Sequence, residues 1–233
     1  MIAPQSLLSR RTLLLSALAI GASACSREAD APASAPADEG EAAPPPQAAG
    51  DLPVVALLGD SITAGYGLPA KDALPAQLEA ALAAAGTPVR VRAAGVSGDT
   101  TAGALARVDF SIQDDTDLCV VALAGNDLLQ GIEPATMRAN LVGIITRLKA
   151  RNIPVLLAGM QAPPSYGAYA TDFAAVFEGI AGDHDLPLYP FLLDGVALDP
   201  ALNQDDGIHP NAAGVKVIAQ RLAPAVAGAL AGD

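Results

Sequence analysis

From Val54 onward the chain alternates short apolar runs with longer stretches whose apolar residues recur at helical spacing. This alternation is the strongest constraint on the fold. Val54 to Leu58, Leu118 to Leu123 and Ile153 to Leu157 are continuous apolar runs, the pattern of parallel strands covered on both faces. Val89 to Ala93 alternates and reads as a second, less buried strand, and Leu186 to Tyr189 as a short fifth. Leu74, Leu78, Ala81 and Leu82, closed by Gly86, mark the first helix. Leu105, Val108 and Ile112 mark the next, followed by Met137, Leu141, Ile144, Ile145 and Leu148, then Phe173, Val176, Phe177 and Ile180. Val215, Ile218, Leu222 and Val226 mark the last, which Pro224 is expected to bend or end. Strand and helix in alternation predict an α/β domain over residues 52–233. Its form is a three-layer α/β/α sandwich on a five-stranded parallel sheet with right-handed crossovers.

The first fifty residues lack this pattern. Residues 1–25 read as an export signal: Arg10-Arg11, an apolar stretch from Leu13 to Ile20, then Gly21-Ala22-Ser23-Ala24-Cys25. The stretch is too short for a stable membrane-spanning helix. Arg10-Arg11 resembles a twin-arginine signal, and an ordinary Sec signal with a positive end is the other reading. Ala22-Ser23-Ala24-Cys25 resembles a bacterial lipobox, in which Cys25 would be lipidated; the alternative is an Ala-x-Ala cleavage site. Residues 26–51 are rich in Ala, Pro and acidic residues and are expected to form a disordered tether reaching about 25–30 Å. The expected location is therefore the periplasm, with the domain held to the cell envelope by a lipid anchor or free within it.

Charge narrows the partners. The chain carries 13 Lys+Arg against 25 Asp+Glu, a net charge of −12. That excludes the basic footprint of a nucleic-acid binder and electrostatic adhesion to anionic lipid. Two cysteines and two histidines argue against a cystine scaffold and a His- or Cys-rich metal site. Contact with membrane is expected only through the anchor, and the protein is expected to be a monomer.

In an open parallel sheet, ligands bind beyond the carboxyl ends of the strands. Gly59-Asp60-Ser61 follows the first strand, Gly95-Val96-Ser97-Gly98-Asp99-Thr100 the second, and Ala124-Gly125-Asn126-Asp127 the third. Asp205-Asp206-Gly207-Ile208-His209-Pro210 precedes the last helix. A hydroxyl, a glycine turn, an amide and a carboxylate three residues before a histidine form an inventory for acyl transfer. A serine alcohol needs a base, and His209 is a better candidate than His184 because Asp206 is close enough to orient its ring.

These blocks resemble the SGNH (GDSL-type) hydrolase family. Gly59-Asp60-Ser61, Gly98, Gly125-Asn126-Asp127 and Asp206-x-x-His209-Pro210 fall in the family's order over residues 54 to 210. The nearest likeness is to the bacterial thioesterase I/lysophospholipase L1/arylesterase branch, through Gly59 to Gly67, Val96 to Thr101 and Gln204 to Asn211. Two departures stand out: Ala124 replaces a usual glycine, and no asparagine stands near Ala93 or Ala94. The resemblance implies a flavodoxin-like sandwich. It implies Ser61 as nucleophile, His209 as general base then acid, and Asp206 as orienting carboxylate. The backbone N–H groups of Ser61 and Gly98 and the side-chain amide of Asn126 would form an oxyanion hole. No cofactor and no metal are implied.

Each motif has a blander reading: Ser61 as a helix N-cap, Asn126 as a turn former. The order of four blocks weighs against these. Asp60, Asp99 and Asp127 are expected to be structural, bonding loop N–H groups. Asp205 is expected to be a solvated neighbour, His184 to lie on a surface turn, and Cys119 to be an inert buried hydrophobe. In the resembled branch, the loops matching residues 127–132 and 160–169 line an acyl groove. Here Leu128, Leu129, Ile132, Met160, Pro163 and Tyr166 are expected to do so. The expectation is an exported serine esterase acting on aryl esters, short or medium acyl esters, acyl thioesters or lysophospholipids. A carbohydrate O-acetyl esterase and a non-catalytic envelope lipoprotein are the alternatives.

Overall fold

Five strands and seven α-helices follow one another in the computed structural model, which describes residues 52–232. The expected signal, lipidation site and tether lie outside the described residues. The strands are β1 (Val54–Gly59), β2 (Arg90–Gly95), β3 (Leu118–Ala122), β4 (Val155–Ala158) and β5 (Leu188–Tyr189). They form one parallel sheet in the order β2-β1-β3-β4-β5, the flavodoxin-like order. β1, β3 and β4 are buried along their whole length, as their continuous apolar runs require. β2 is an edge strand and mostly half-exposed, which explains its alternating sequence. β5 is only two residues long, because Pro187 just before it has no N–H for the ladder.

The helices are α1 (Ser61–Ala64), α2 (Leu74–Ala84), α3 (Thr101–Ser111), α4 (Gly125–Leu129), α5 (Pro134–Ala150), α6 (Ala168–His184) and α7 (Ala212–Ala231). α2 packs against α7, while α3 packs on α5 and α5 on α6. Most of the residues that periodicity marked are buried: Leu74, Leu78 and Leu82 on α2; Met137, Leu141, Ile144, Ile145 and Leu148 on α5; Phe173, Val176, Phe177 and Ile180 on α6; Ala81 on α2 and Leu105 on α3 are only half-buried. Asn211 caps α7, its side chain accepting from the N–H groups of Ala213 and Gly214.

The last helix departs from expectation. Pro224 does not end α7, which runs on to Ala231. Pro224 and Gln220 both face solvent, so water can reach the Gln220 carbonyl that loses its helical partner. Ala223 and Val226 beside the proline stay buried and hold the remaining turns in place.

α1 and α4 are single turns that periodicity did not mark. They follow β1 and β3 and carry Ser61 and Asn126.

Candidate active site

β1 ends at Gly59, and the chain turns at once into α1. The turn admits no side chain at Gly59: a Cβ there would lie 2.4 Å from the Ala122 carbonyl oxygen and 2.5 Å from the Thr63 side chain. Asp60 caps α1 with its carboxylate, accepting the Ile62 N–H at 3.1 Å. Ser61 is therefore the first residue of a helical turn aimed out of the sheet edge. Asp60 is only 2% exposed, and burial pushes its pKa up to about 6; the Ile62 N–H and the nearby His209 oppose that rise.

The loop before α7 supplies the remaining groups. His209 Nε2 lies 2.9 Å from Ser61 Oγ, and Nδ1 lies 2.6 Å from Asp206 Oδ2. The other Asp206 oxygen accepts the backbone N–H groups of Ile208 and His209, each at 2.9 Å. The backbone N–H and ring of His209, with the Ile208 N–H, hold the Asp206 carboxyl down at about 2. Gly207 makes the tight loop possible with φ +69°. An Asn203–Pro210 bridge closes its base. The Gln204 side chain donates to the carbonyls of Tyr66 and Pro210, tying this loop to the one that follows α1. The Tyr66 ring lies over the His209 imidazole, centroids 4.5 Å apart.

Two further loops complete the edge. Gly98 follows β2 in the left-handed region, φ +87°, with open space where a Cβ would lie. Its backbone conformation selects glycine there, rather than the close approach of a neighbour. Asn126, in α4, donates one amide hydrogen to the Asp99 carbonyl at 2.8 Å, which leaves the second for the cavity that it lines. Asp127 is fully buried and accepts from the N–H and hydroxyl of Thr101 at 2.8 and 2.5 Å. Ala124, standing where the family pattern has glycine, adopts φ +86°.

The structure thus brings together Ser61, His209, Asp206, Gly98 and Asn126, from four loops at one sheet edge. Ser61, His209, Gly98 and Asn126 line a cavity of about 480 Å³. Of the expected rim residues, Leu128, Leu129, Met160 and Pro163 line it, and Ile132 and Tyr166 do not. Ile132 lies beyond α4, its N–H donating back to the Asp127 carbonyl, and its own carbonyl accepts the Tyr169 hydroxyl at 2.9 Å. Tyr166 is 51% exposed and packs its ring toward Tyr169. Tyr66, Phe191, Leu193, Ala197, Leu198 and Ile208 also line the cavity. Periodicity gives no signal for these, but the rule that sites lie beyond strand ends points to Phe191 and Leu193, which follow β5.

The other expectations sort as follows. Asp60 and Asp127 bond N–H groups in the first turns of helices, Ile62 of α1 and Thr101 of α3, rather than in loops, and Asp99 pairs with the Arg107 guanidinium at 2.6 Å, because α3 brings that cation under the loop. Asp205 is exposed beside Asp206. His184 ends α6, just before β5, at the opposite end of the sheet from the site. Cys119 is buried in β3, and burial pushes its thiol up to about 12. Among the described residues, no group of three or more His, Cys, Asp or Glu could hold a metal ion.

Residues 57–217 match the model of the GDSL-like lipase/acylhydrolase family. The chain is 40% identical over 156 residues to the esterase TesA of Pseudomonas aeruginosa, covering 66% of this chain and 78% of that one. It is 38% identical over 157 residues to thioesterase 1/protease 1/lysophospholipase L1 of Escherichia coli, covering 66% and 74%. Among solved structures, TesA superposes with a TM-score of 0.71 at 36% identity, over 76% of this chain and 99% of that chain. The SGNH-hydrolase family esterase AlinE4 gives 0.65 at 45% identity, over 77% and 97%. The family match spans most of the chain and all four loops of the site, so the chain belongs to the GDSL-like lipase/acylhydrolase, or SGNH hydrolase, family.

Proposed function

We propose that this SGNH ester hydrolase is an exported serine esterase that works through an acyl-enzyme. The observation that carries the reading is the unbroken chain from Ser61 Oγ through His209 to Asp206 at the mouth of a largely apolar cavity. The Asp206 carboxylate accepts the Nδ1 hydrogen and leaves Nε2 free to take the Ser61 proton. Ser61 Oγ then attacks the ester carbonyl. The N–H groups of Ser61 and Gly98 and the free amide hydrogen of Asn126 receive the negative oxygen. His209 returns its proton to the leaving alcohol or thiol, and water repeats the sequence on the acyl-enzyme to release the acid.

Leu128, Leu129, Met160 and Pro163 offer the acyl or aryl group apolar contact, as do Phe191, Leu193 and Leu198. Such walls suit aryl esters and short or medium acyl chains, including acyl thioesters and lysophospholipids, better than the hydroxyl-rich surface of an acetylated sugar. The intact hydrogen-bond chain counts against a non-catalytic role. Residues 1–25 support export to the periplasm, with Cys25 as the lipidated anchor of the mature protein.

Hydrolysis of p-nitrophenyl esters from acetate to palmitate, by wild type and Ser61→Ala, tests the catalytic reading. Turnover lost in the variant supports it. Equal rates in two folded proteins would refute it and turn attention to acetylated glycans. Fractionation of cells carrying Cys25→Ala tests the anchor, which predicts release from the membrane fraction.

A further inference from the structure

The three oxyanion donors assigned above stand on three separate loops, after β1, β2 and β3. Their mutual placement needs a common reference, and one side chain bonds the frame of the first two and reaches the third through Asp99. Arg107 lies on α3 with its side chain 18% exposed. Its Nη2 donates to the Gly59 carbonyl at 3.0 Å, two residues before Ser61. Its Nη1 donates to the Ala94 carbonyl in β2 at 2.9 Å, four residues before Gly98, and to Ser111 Oγ at 3.0 Å. Its Nε donates to Asp99 Oδ2 at 2.6 Å, one residue after Gly98. The Asp99 backbone carbonyl in turn accepts the Asn126 amide at 2.8 Å.

We propose that Arg107 is the positioning residue of the oxyanion hole: one planar guanidinium sets the Ser61, Gly98 and Asn126 donors relative to one another. The inference rests on the serine-esterase reading and adds a residue that touches neither substrate nor triad. The chemistry favours arginine. The guanidinium is rigid, always charged and carries five N–H donors in fixed directions. Four of its donor–acceptor contacts here reach two strand ends, a loop carboxylate and its own helix. A lysine ammonium, a point donor on a flexible stem, cannot hold Gly59, Ala94 and Asp99 at these separations at once. Oxyanion donors act through pre-set distance, so a small drift of one loop weakens transition-state binding more than substrate binding.

The test compares wild type with Arg107→Lys, Arg107→Ala and Asp99→Asn. Each is measured for kcat, KM, thermal stability and inhibition by an alkyl boronic acid, a probe that forms a tetrahedral adduct on a serine hydroxyl. Positioning predicts that kcat falls about 10²-fold in folded Arg107→Ala, of the order seen on losing one oxyanion donor, while KM changes less than about twofold. Boronate affinity should fall in step with kcat/KM, and Arg107→Lys should recover only part of the loss. Added guanidinium at millimolar concentration should raise kcat in Arg107→Ala. Should Arg107→Ala not fold, Arg107→Lys and Asp99→Asn carry the same kcat-against-KM comparison. Folded variants with wild-type kcat, or kcat reduced with boronate affinity unchanged, would overturn the proposal. A wild type with no Ser61-dependent turnover is a different result, and refutes the esterase reading itself.

Discussion

Asp60 carries a stability cost that pH should expose. The residue is 2% exposed and its pKa is raised from 3.8 to about 6, chiefly by burial. The folded state therefore holds this proton more tightly than the unfolded chain does. Its favourable contribution is complete below pH 3.8 and is lost as pH rises through about 6. A difference of about 2 units, at about 1.4 kcal/mol each, makes ionised Asp60 a penalty of about 3 kcal/mol at pH 8. Asp60→Asn removes the titration and keeps an oxygen to accept the Ile62 N–H. The test is urea unfolding of both proteins at half-unit steps from pH 4 to pH 8. Any pH-independent effect of the new amide cancels in the difference between the two curves. Stability of the variant relative to wild type should rise by about 2–3 kcal/mol across that range, most of it between about pH 4 and pH 6. Parallel curves would refute the reasoning, because they would mean that burial does not perturb Asp60. Asp206 has the opposite sign: its contribution is present above pH 3.8 and lost as pH falls toward about 2, so it stays outside the window.

Other outcomes follow from single contacts. Asn126→Ala should lower kcat about 10²–10³-fold with KM little changed, read from p-nitrophenyl ester kinetics. Ala124→Gly should raise the unfolding free energy by up to about 1 kcal/mol in the same urea assay, since relief at φ +86° outweighs the added chain entropy. Gly59→Ala should destabilise by about 3 kcal/mol or more, because its Cβ would meet the Ala122 carbonyl at 2.4 Å, and backbone cannot swing aside as a side-chain tip can. A Gly59→Ala protein with wild-type stability would show that the β1–α1 turn can open.

The strands and long helices were legible from residue order because burial on two faces leaves continuous apolar runs, and burial on one face leaves a 3.6-residue stripe. Leu118 to Ala122 and the Met137–Leu148 stripe are examples. The tolerance of α7 for Pro224 was not legible, since it depends on Gln220 facing water and on neighbours that stay buried against other elements. In the site, Ser61, Asn126, Asp206 and His209 stand in short local motifs, so their types and spacing could be read directly. Ile132 and Tyr166 stand outside the cavity lining, because apolar character does not say which way a loop turns. Arg107 carried no signal at all: an arginine at half-helix spacing looks solvated until Gly59, Ala94 and Asp99 are seen around it.

Sequence alone therefore determined the α/β class, the strand and helix order and the chemical inventory, because each is written in local periodicity and short motifs. Tertiary structure alone decided the contacts between loops distant in the chain: the 2.9 Å approach of His209 to Ser61, the lining of the cavity and the Arg107 guanidinium that joins Gly59, Ala94 and Asp99. Side-chain direction and the meeting of distant loops are set by packing, and packing has no local period to read.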